Sequence, residues 1–140
     1  MDVKSVFFNG NLEEEVYIEK PKGFLLLENG DYVCKLKRAL YGLKQAPRAW
    51  FSRLDKYLKQ QGYKRGDTNS NLYIKIEDKN MIIVVVYVDD IIFGSNLQIL
   101  SLKFASEMRK EFEMSMFDEL TFFLGLQVYQ SEKKNLHFSN

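Results

Sequence analysis

Histidine and cysteine are nearly absent: the 140 residues include one of each, His137 and Cys34. One cysteine excludes an internal disulfide framework, and one histidine argues against a zinc site or a histidine-based triad. Any metal here must be held by oxygen. Long hydrophobic runs are also missing. The longest uncharged apolar run reaches about half a bilayer span or less, and Met1 is followed by Asp2 and Lys4 rather than by a signal-peptide core. Neither secretion nor a membrane is indicated, and an intracellular protein is expected. No internal repeat or low-complexity segment occurs.

What is present is enough for one domain with a core, since 46% of residues are hydrophobic and 14% aromatic. The net charge of +1 hides an asymmetry. Residues 1–31 carry 3 Lys against 7 Asp and Glu, residues 33–66 carry 10 Lys and Arg against Asp55 alone, and residues 67–140 carry 7 against 11. A basic middle third is commonly a solvated helix face. It also suits a polyanion such as a nucleic-acid backbone.

The pattern predicts a strand from Val3 to Phe8 closed by Asn9-Gly10, and a short strand at Val16 to Glu19 ended by Pro21 and Gly23. Residues 24–31 read as a loop, and Tyr32 to Leu40 as extended. Pro47 suits the first turn of a helix whose apolar face is Trp50, Leu54, Tyr57 and Leu58, with Gly62 placed to end it. Leu72 to Ile76 and Met81 to Val88 read as strands around the turn 77–80, and the chain reverses near Asp89 to return through Ile91 to Gly94. A second helix is expected over Leu97 to Phe112, capped by Ser95 or Asn96, with Leu100, Phe104, Met108 and Phe112 buried. Thr121 to Tyr129 reads as a strand against which Leu136 to Phe138 pairs. The order implies an α+β sheet with helices on one face.

The run Met81 to Val88 is apolar throughout, yet it ends in Asp89 and Asp90. Burying an ionised carboxylate costs several kcal/mol unless it is paired or binds a cation. A divalent metal at a hairpin tip accounts for the pair. Adjacent strand residues point to opposite faces, so both converge on one ion only where the chain turns, and a magnesium site needs a third carboxylate. Asp2, opening an apolar strand, is the candidate. The alternative is that Asp89 and Asp90 are turn residues and Asp2 a frayed terminus. Three carboxylates with two hard cations would suit phosphoryl or nucleotidyl transfer.

Tyr87-Val88-Asp89-Asp90 resembles the Tyr-X-Asp-Asp box of reverse transcriptases. Two further blocks stand in the matching order: Met1-Asp-Val-Lys-Ser-Val-Phe-Phe-Asn-Gly10 with Val16-Tyr-Ile18, and Leu40-Tyr-Gly-Leu-Lys-Gln-Ala-Pro-Arg-Ala-Trp50. Together they resemble the polymerase segments of Ty1/copia-type retrotransposon polyproteins over essentially the whole chain. The resemblance implies a polymerase palm, a mainly antiparallel sheet with two helices packed on one face. It also implies RNA-directed DNA polymerase activity with two Mg²⁺ ions at Asp2, Asp89 and Asp90, and a primed RNA or DNA template and a deoxynucleoside triphosphate as partners. Phe7 would be the aromatic that rejects a 2′-hydroxyl, and Gln45 would contact the incoming nucleotide. Lys44 and Arg48 would touch phosphate, Tyr87 would stand by the nucleic acid, and Gly125, in the run Phe123 to Val128, would belong to a hairpin supporting the primer end. For Phe7 the alternative is a plain core aromatic, for Gln45 a solvated residue before the helix, and Tyr41 either stacks on a base or packs. Trp50, Leu54 and Leu58 read as core.

Asp118 stands where the family pattern has a glycine, and Phe138-Ser139-Asn140 where Leu-Ser-Gln is usual. Met1 reads as an internal methionine of the first block, which would leave the chain a partial domain, residues 1–140, without the fingers before it or the thumb after it. Little or no activity is then expected of the isolated chain. The rivals are a non-catalytic transposon relic that at most binds nucleic acid and an unrelated α+β binding module.

Overall fold

The computed structural model describes residues 1–19, 32–115, 122–123, 126–129 and 137–139. The fold is α+β. Its main sheet has six strands, all paired antiparallel, in the order β4-β5-β6-β7-β1-β8. These are β1 (Asp2–Val3), β4 (Lys64–Arg65), β5 (Leu72–Glu77), β6 (Asn80–Tyr87), β7 (Asp90–Ser95) and β8 (Met114–Ser115). A separate pair joins β2 (Asn11–Ile18) to β3 (Cys34–Arg38), and a three-stranded sheet joins β9 (Phe122–Phe123), β10 (Leu126–Tyr129) and β11 (His137–Ser139). The described residues also form two α-helices, α1 (Ala46–Gln60) and α2 (Gln98–Glu111). Among the described residues no helix is long and apolar enough to cross a membrane.

Burial alternates along β6: Ile82, Val84 and Val86 are buried, whereas Met81, Ile83 and Tyr87 are exposed. The period of two assigns one face of the sheet to the core. Against it pack Trp50, Leu54, Tyr57 and Leu58 of α1 and Phe104 and Met108 of α2, in one cluster with Tyr73, Ile91 and Phe112. Both helices therefore cover the same face, as expected. Register carries Tyr87, Asp90 and Asp2 to the other, open face, because Tyr87 pairs with Asp90 and Asp90 with Asp2.

Several local expectations change. Val3 to Phe8 is not one strand: β1 ends at Val3, Ser5 takes a left-handed φ of 50°, and Val6–Asn9 form a 3₁₀ turn. Turning there drops Val6 into the core, which a straight strand would not do. Gly10 then presses on α1, where a Cβ would lie 2.6 Å from the Trp50 nitrogen. The strand expected at Val16 to Glu19 begins instead at Asn11, because β3 pairs with it over a longer stretch. The N-cap of α2 is Leu97, with no side-chain cap bond. Asn96 instead accepts from the Met81 amide at 2.8 Å, and the Ser95 hydroxyl bonds the Leu97 carbonyl and Ser101, so both capping candidates serve the sheet-to-helix connection. Leu100 is only partly buried, and Ala105 joins the buried side. Finally, where one strand was expected from Thr121 to Tyr129, the described residues form two antiparallel strands, β9 and β10, with Phe123 opposite Leu126. Of the pairing expected for Leu136 to Phe138, the described residues bear out His137 and Phe138, with Val128 opposite Phe138 and Tyr129 opposite His137, while Leu136 lies outside the described residues. The loop 24–31, Pro21, Gly23 and Asp118 lie outside the described residues.

Candidate active site at the hairpin tip

Tyr87 faces Asp90, so Val88 and Asp89 alone make the turn between β6 and β7. Val88 sits at φ 53°, a region β-branched residues rarely enter and one that costs about 1–3 kcal/mol. The turn is held from outside the hairpin. On one side β1 clamps it: the Val3 amide donates to the Asp89 carbonyl at 3.0 Å, and the Ile91 amide donates to the Met1 carbonyl at 2.8 Å. On the other side the Trp50 indole N–H donates to the Val88 carbonyl at 2.7 Å.

β1 lies between β7 and β8, and Asp2 pairs directly with Asp90. The fold thus brings together the three aspartates singled out in the sequence. Their charges act on one another: partial burial, then the charges of Asp89 and Asp2, push the Asp90 carboxyl above its ordinary value, and the Met1 amino group opposes the shift. The donor set suits a hard divalent cation, being all carboxylate. As the side chains stand, however, no three His, Cys, Asp or Glu residues among those described form a group able to hold a metal ion. The backbone brings the three residues together, while their carboxylates do not converge on a common point.

Phe7 lies on the 3₁₀ turn, partly buried against the core, with its ring centroid 4.6 Å from that of Tyr41 in an edge-to-face pair. Tyr41 is 60% exposed and precedes Gly42, whose φ of 90° turns the chain toward α1. Gln45 is the N-cap of α1 without a side-chain cap bond. With Arg48 it lines a pocket of about 110 Å³ that also has Asn11, Glu13 and Glu14 on its wall, and none of the three aspartates. Lys44 and Arg48 are exposed, and neither has an ion-pair partner among the described residues. Tyr87 is exposed beside Asp90 on the open face. Gly125 lies outside the described residues. A wider cavity, 630 Å³ with Lys59, Lys64 and Arg65 on its wall, sits at the β4 edge, with β5, β6 and β7 between it and β1.

Two supports escaped the sequence reading. The indole bond of Trp50 was hidden because a tryptophan on an apolar helix stripe reads as core, which it also is. The β1 clamp on the turn had no local signal at all, since it depends on pairing between distant segments.

The family described as Reverse transcriptase (RNA-dependent DNA polymerase) matches residues 1–137. The chain is 35% identical over 139 residues to the Retrovirus-related Pol polyprotein from transposon RE2 of Arabidopsis thaliana, covering 99% of this chain and 10% of that protein. To the Retrovirus-related Pol polyprotein from transposon TNT 1-94 of Nicotiana tabacum it is 37% identical over 129 residues, 91% of this chain and 10% of the relative. To a transposon Ty5-1 protein of Saccharomyces cerevisiae it is 32% identical over 139 residues, 99% of this chain and 45% of the relative. The chain thus spans less than half the length of each of these curated relatives. No solved structure matches.

Proposed function

We propose that this chain, which belongs to the reverse transcriptase (RNA-dependent DNA polymerase) family of Ty1/copia-type Pol polyproteins, is a palm region whose nucleotidyl-transfer site is Asp2, Asp89 and Asp90. The observation that carries this reading is the pairing of Asp2 with Asp90 across adjacent strands, with Asp89 next to it at the turn. In the reaction, the 3′-hydroxyl of a primer attacks the α-phosphate of a nucleoside triphosphate, and pyrophosphate leaves. Two Mg²⁺ ions held by the three carboxylates would supply activation of that hydroxyl and stabilisation of the leaving oxygen. Phe7, braced edge-on by Tyr41, would bar a ribose 2′-hydroxyl by bulk. Gln45 would contact the nucleotide, Lys44 and Arg48 would meet phosphate, and Tyr87 and Gly125 would lie along the primed template.

Positioning supplies much of the rate in such reactions. As they stand, the carboxylates form no group ready to hold metal among the described residues, so little primer extension by the chain alone is expected. The test has two arms. Mn²⁺ binding to the chain should be lost in Asp89→Asn, and binding unchanged by that substitution would overturn the site. Primer extension on an RNA template by the chain alone should be near background, and Asp89-dependent synthesis would overturn the expectation of inactivity.

A second reading, a nucleic-acid-binding relic without chemistry, is favoured by one observation: the carboxylates form no ready metal group, while Lys37, Arg38, Lys44, Arg48, Lys56 and Lys64 have no ion-pair partner among the described residues. Nucleic-acid binding that falls steeply with salt, yet ignores both Mg²⁺ and Asp89→Asn, would select it.

A further inference from the structure

The carbonyls of both turn residues are held by groups outside the hairpin, Asp89 by the Val3 amide and Val88 by the Trp50 indole. Val88 adopts a left-handed φ of 53°, and the residue is 48% exposed. Packing of that side chain therefore does not explain its backbone. Trp50, by contrast, is fixed: it is 1% exposed, its ring stands edge-to-face on Phe112 at 5.3 Å, and Gly10 packs on its backbone nitrogen. A rigid donor aimed at the carbonyl of a strained residue, one position before the first aspartate of the pair, does more than fill volume.

We propose that Trp50 is a positioning residue for the aspartate pair: through its indole N–H it holds the Val88 carbonyl and so the left-handed turn from which Asp89 and Asp90 project. The inference rests on reading those aspartates as the reactive site, and it adds a reason for a tryptophan, rather than another large apolar residue, at this point of α1. Phenylalanine would keep most of the ring packing and remove the donor. Outer groups that orient metal-binding carboxylates change metal affinity by roughly tenfold or more when removed, and glycine occupies positive φ without steric cost.

Three variants separate positioning from packing: Trp50→Phe, Leu54→Ala as a core control, and Trp50→Phe with Val88→Gly. The readouts in the 140-residue chain are the backbone coupling constant and amide shifts of Val88, Asp89 and Asp90, together with Mn²⁺ affinity. Trp50→Phe should move Val88 out of the left-handed region and weaken Mn²⁺ binding roughly tenfold. Leu54→Ala should lower stability and leave the turn signals in place, and adding Val88→Gly should return the affinity to within about twofold of the original. Turn signals unchanged by Trp50→Phe, or moved equally by Leu54→Ala, would overturn the proposal. Should Trp50→Phe fail to fold, hydrogen exchange of the single indole N–H in the unsubstituted chain decides: protection supports the bond, and exchange at the rate of an exposed indole overturns it. Absence of Asp89-dependent Mn²⁺ binding in the unsubstituted chain would count against the nucleotidyl-transfer reading alone, since the turn signals report on Trp50 without metal.

Discussion

Carboxylates at two places beside this sheet are treated in opposite ways. At the β4–β5 side, Asp55 of α1 accepts from the Tyr73 hydroxyl at 2.8 Å, pairs with Lys59 at 2.8 Å and has Arg65 at 3.9 Å. Burial works against its charge, but the bonds from Lys59 and Tyr73 and the charges of Lys59 and Arg65 outweigh it, and its carboxyl falls below the ordinary value. At the β7–β1 side, Asp2, Asp89 and Asp90 crowd together, no Lys or Arg pairs with them among the described residues, and Asp90 is pushed upward. A carboxylate that stabilises the fold is neutralised by it. Carboxylates left to repel one another lower stability, an arrangement that suits the site proposed for them.

The contrast can be broken, and its largest expected effect is chemical. In a complete polyprotein, the proposed site predicts that Asp89→Asn cuts primer extension by more than about a hundredfold, because several kcal/mol of the stabilisation that bound metal would give the transition state is lost. Asp55→Asn in the same background should leave extension within a fewfold, and equal effects would erase the distinction. Next in size is stability. Asp55→Ala strands the hydroxyl of the fully buried Tyr73 and should cost about 1–3 kcal/mol in a denaturant titration. A loss below about 0.5 kcal/mol, typical of a surface pair, would mean that Asp55 is not built into the core.

The smallest effects lie in pH and carry opposite signs. Asp55, with its carboxyl lowered on folding from the ordinary 3.8, stabilises at pH values above that, and its contribution is lost as pH falls through the lower folded value. Asp90, with its carboxyl raised on folding, imposes no penalty below 3.8, and the penalty grows as pH rises through the raised folded value. Asp90→Asn should therefore raise Tm at neutral pH by no more than about 2 °C. That advantage should vanish in acid, whereas a gain that persists at low pH would assign it to some other cause.

Legibility followed the range of the interactions. α1 stands within a residue of its expected start, since the stripe of Trp50, Leu54, Tyr57 and Leu58 and the nearby Pro47 are local signals. The β6–β7 hairpin is likewise where its apolar runs place it. Val3 to Phe8 misled because six residues, with Lys4 and Ser5 among them, show no period that separates a strand from a 3₁₀ turn. Ser95 and Asn96 look like caps, and their hydrogen bonds were drawn instead to groups met only after folding. Within the candidate site, Asp89 and Asp90 stood out because charge ends an apolar strand, although the structure leaves Asp90 exposed and Asp89 half-buried, and Gln45 shows why a motif position is not a geometry: the pocket it lines contains Glu13 and Glu14 and none of the aspartates.

By itself, then, the sequence determined the helices, the hairpin and the identity of the carboxylates, because periodicity, turn residues and charge act over a few positions along the chain. The tertiary structure alone decided that β1 slots between β7 and β8 to set Asp2 beside Asp90, and that an indole 38 residues away in sequence holds the turn before Asp89. Those contacts join segments distant along the chain, and only burial of the common core brings them within hydrogen-bonding distance.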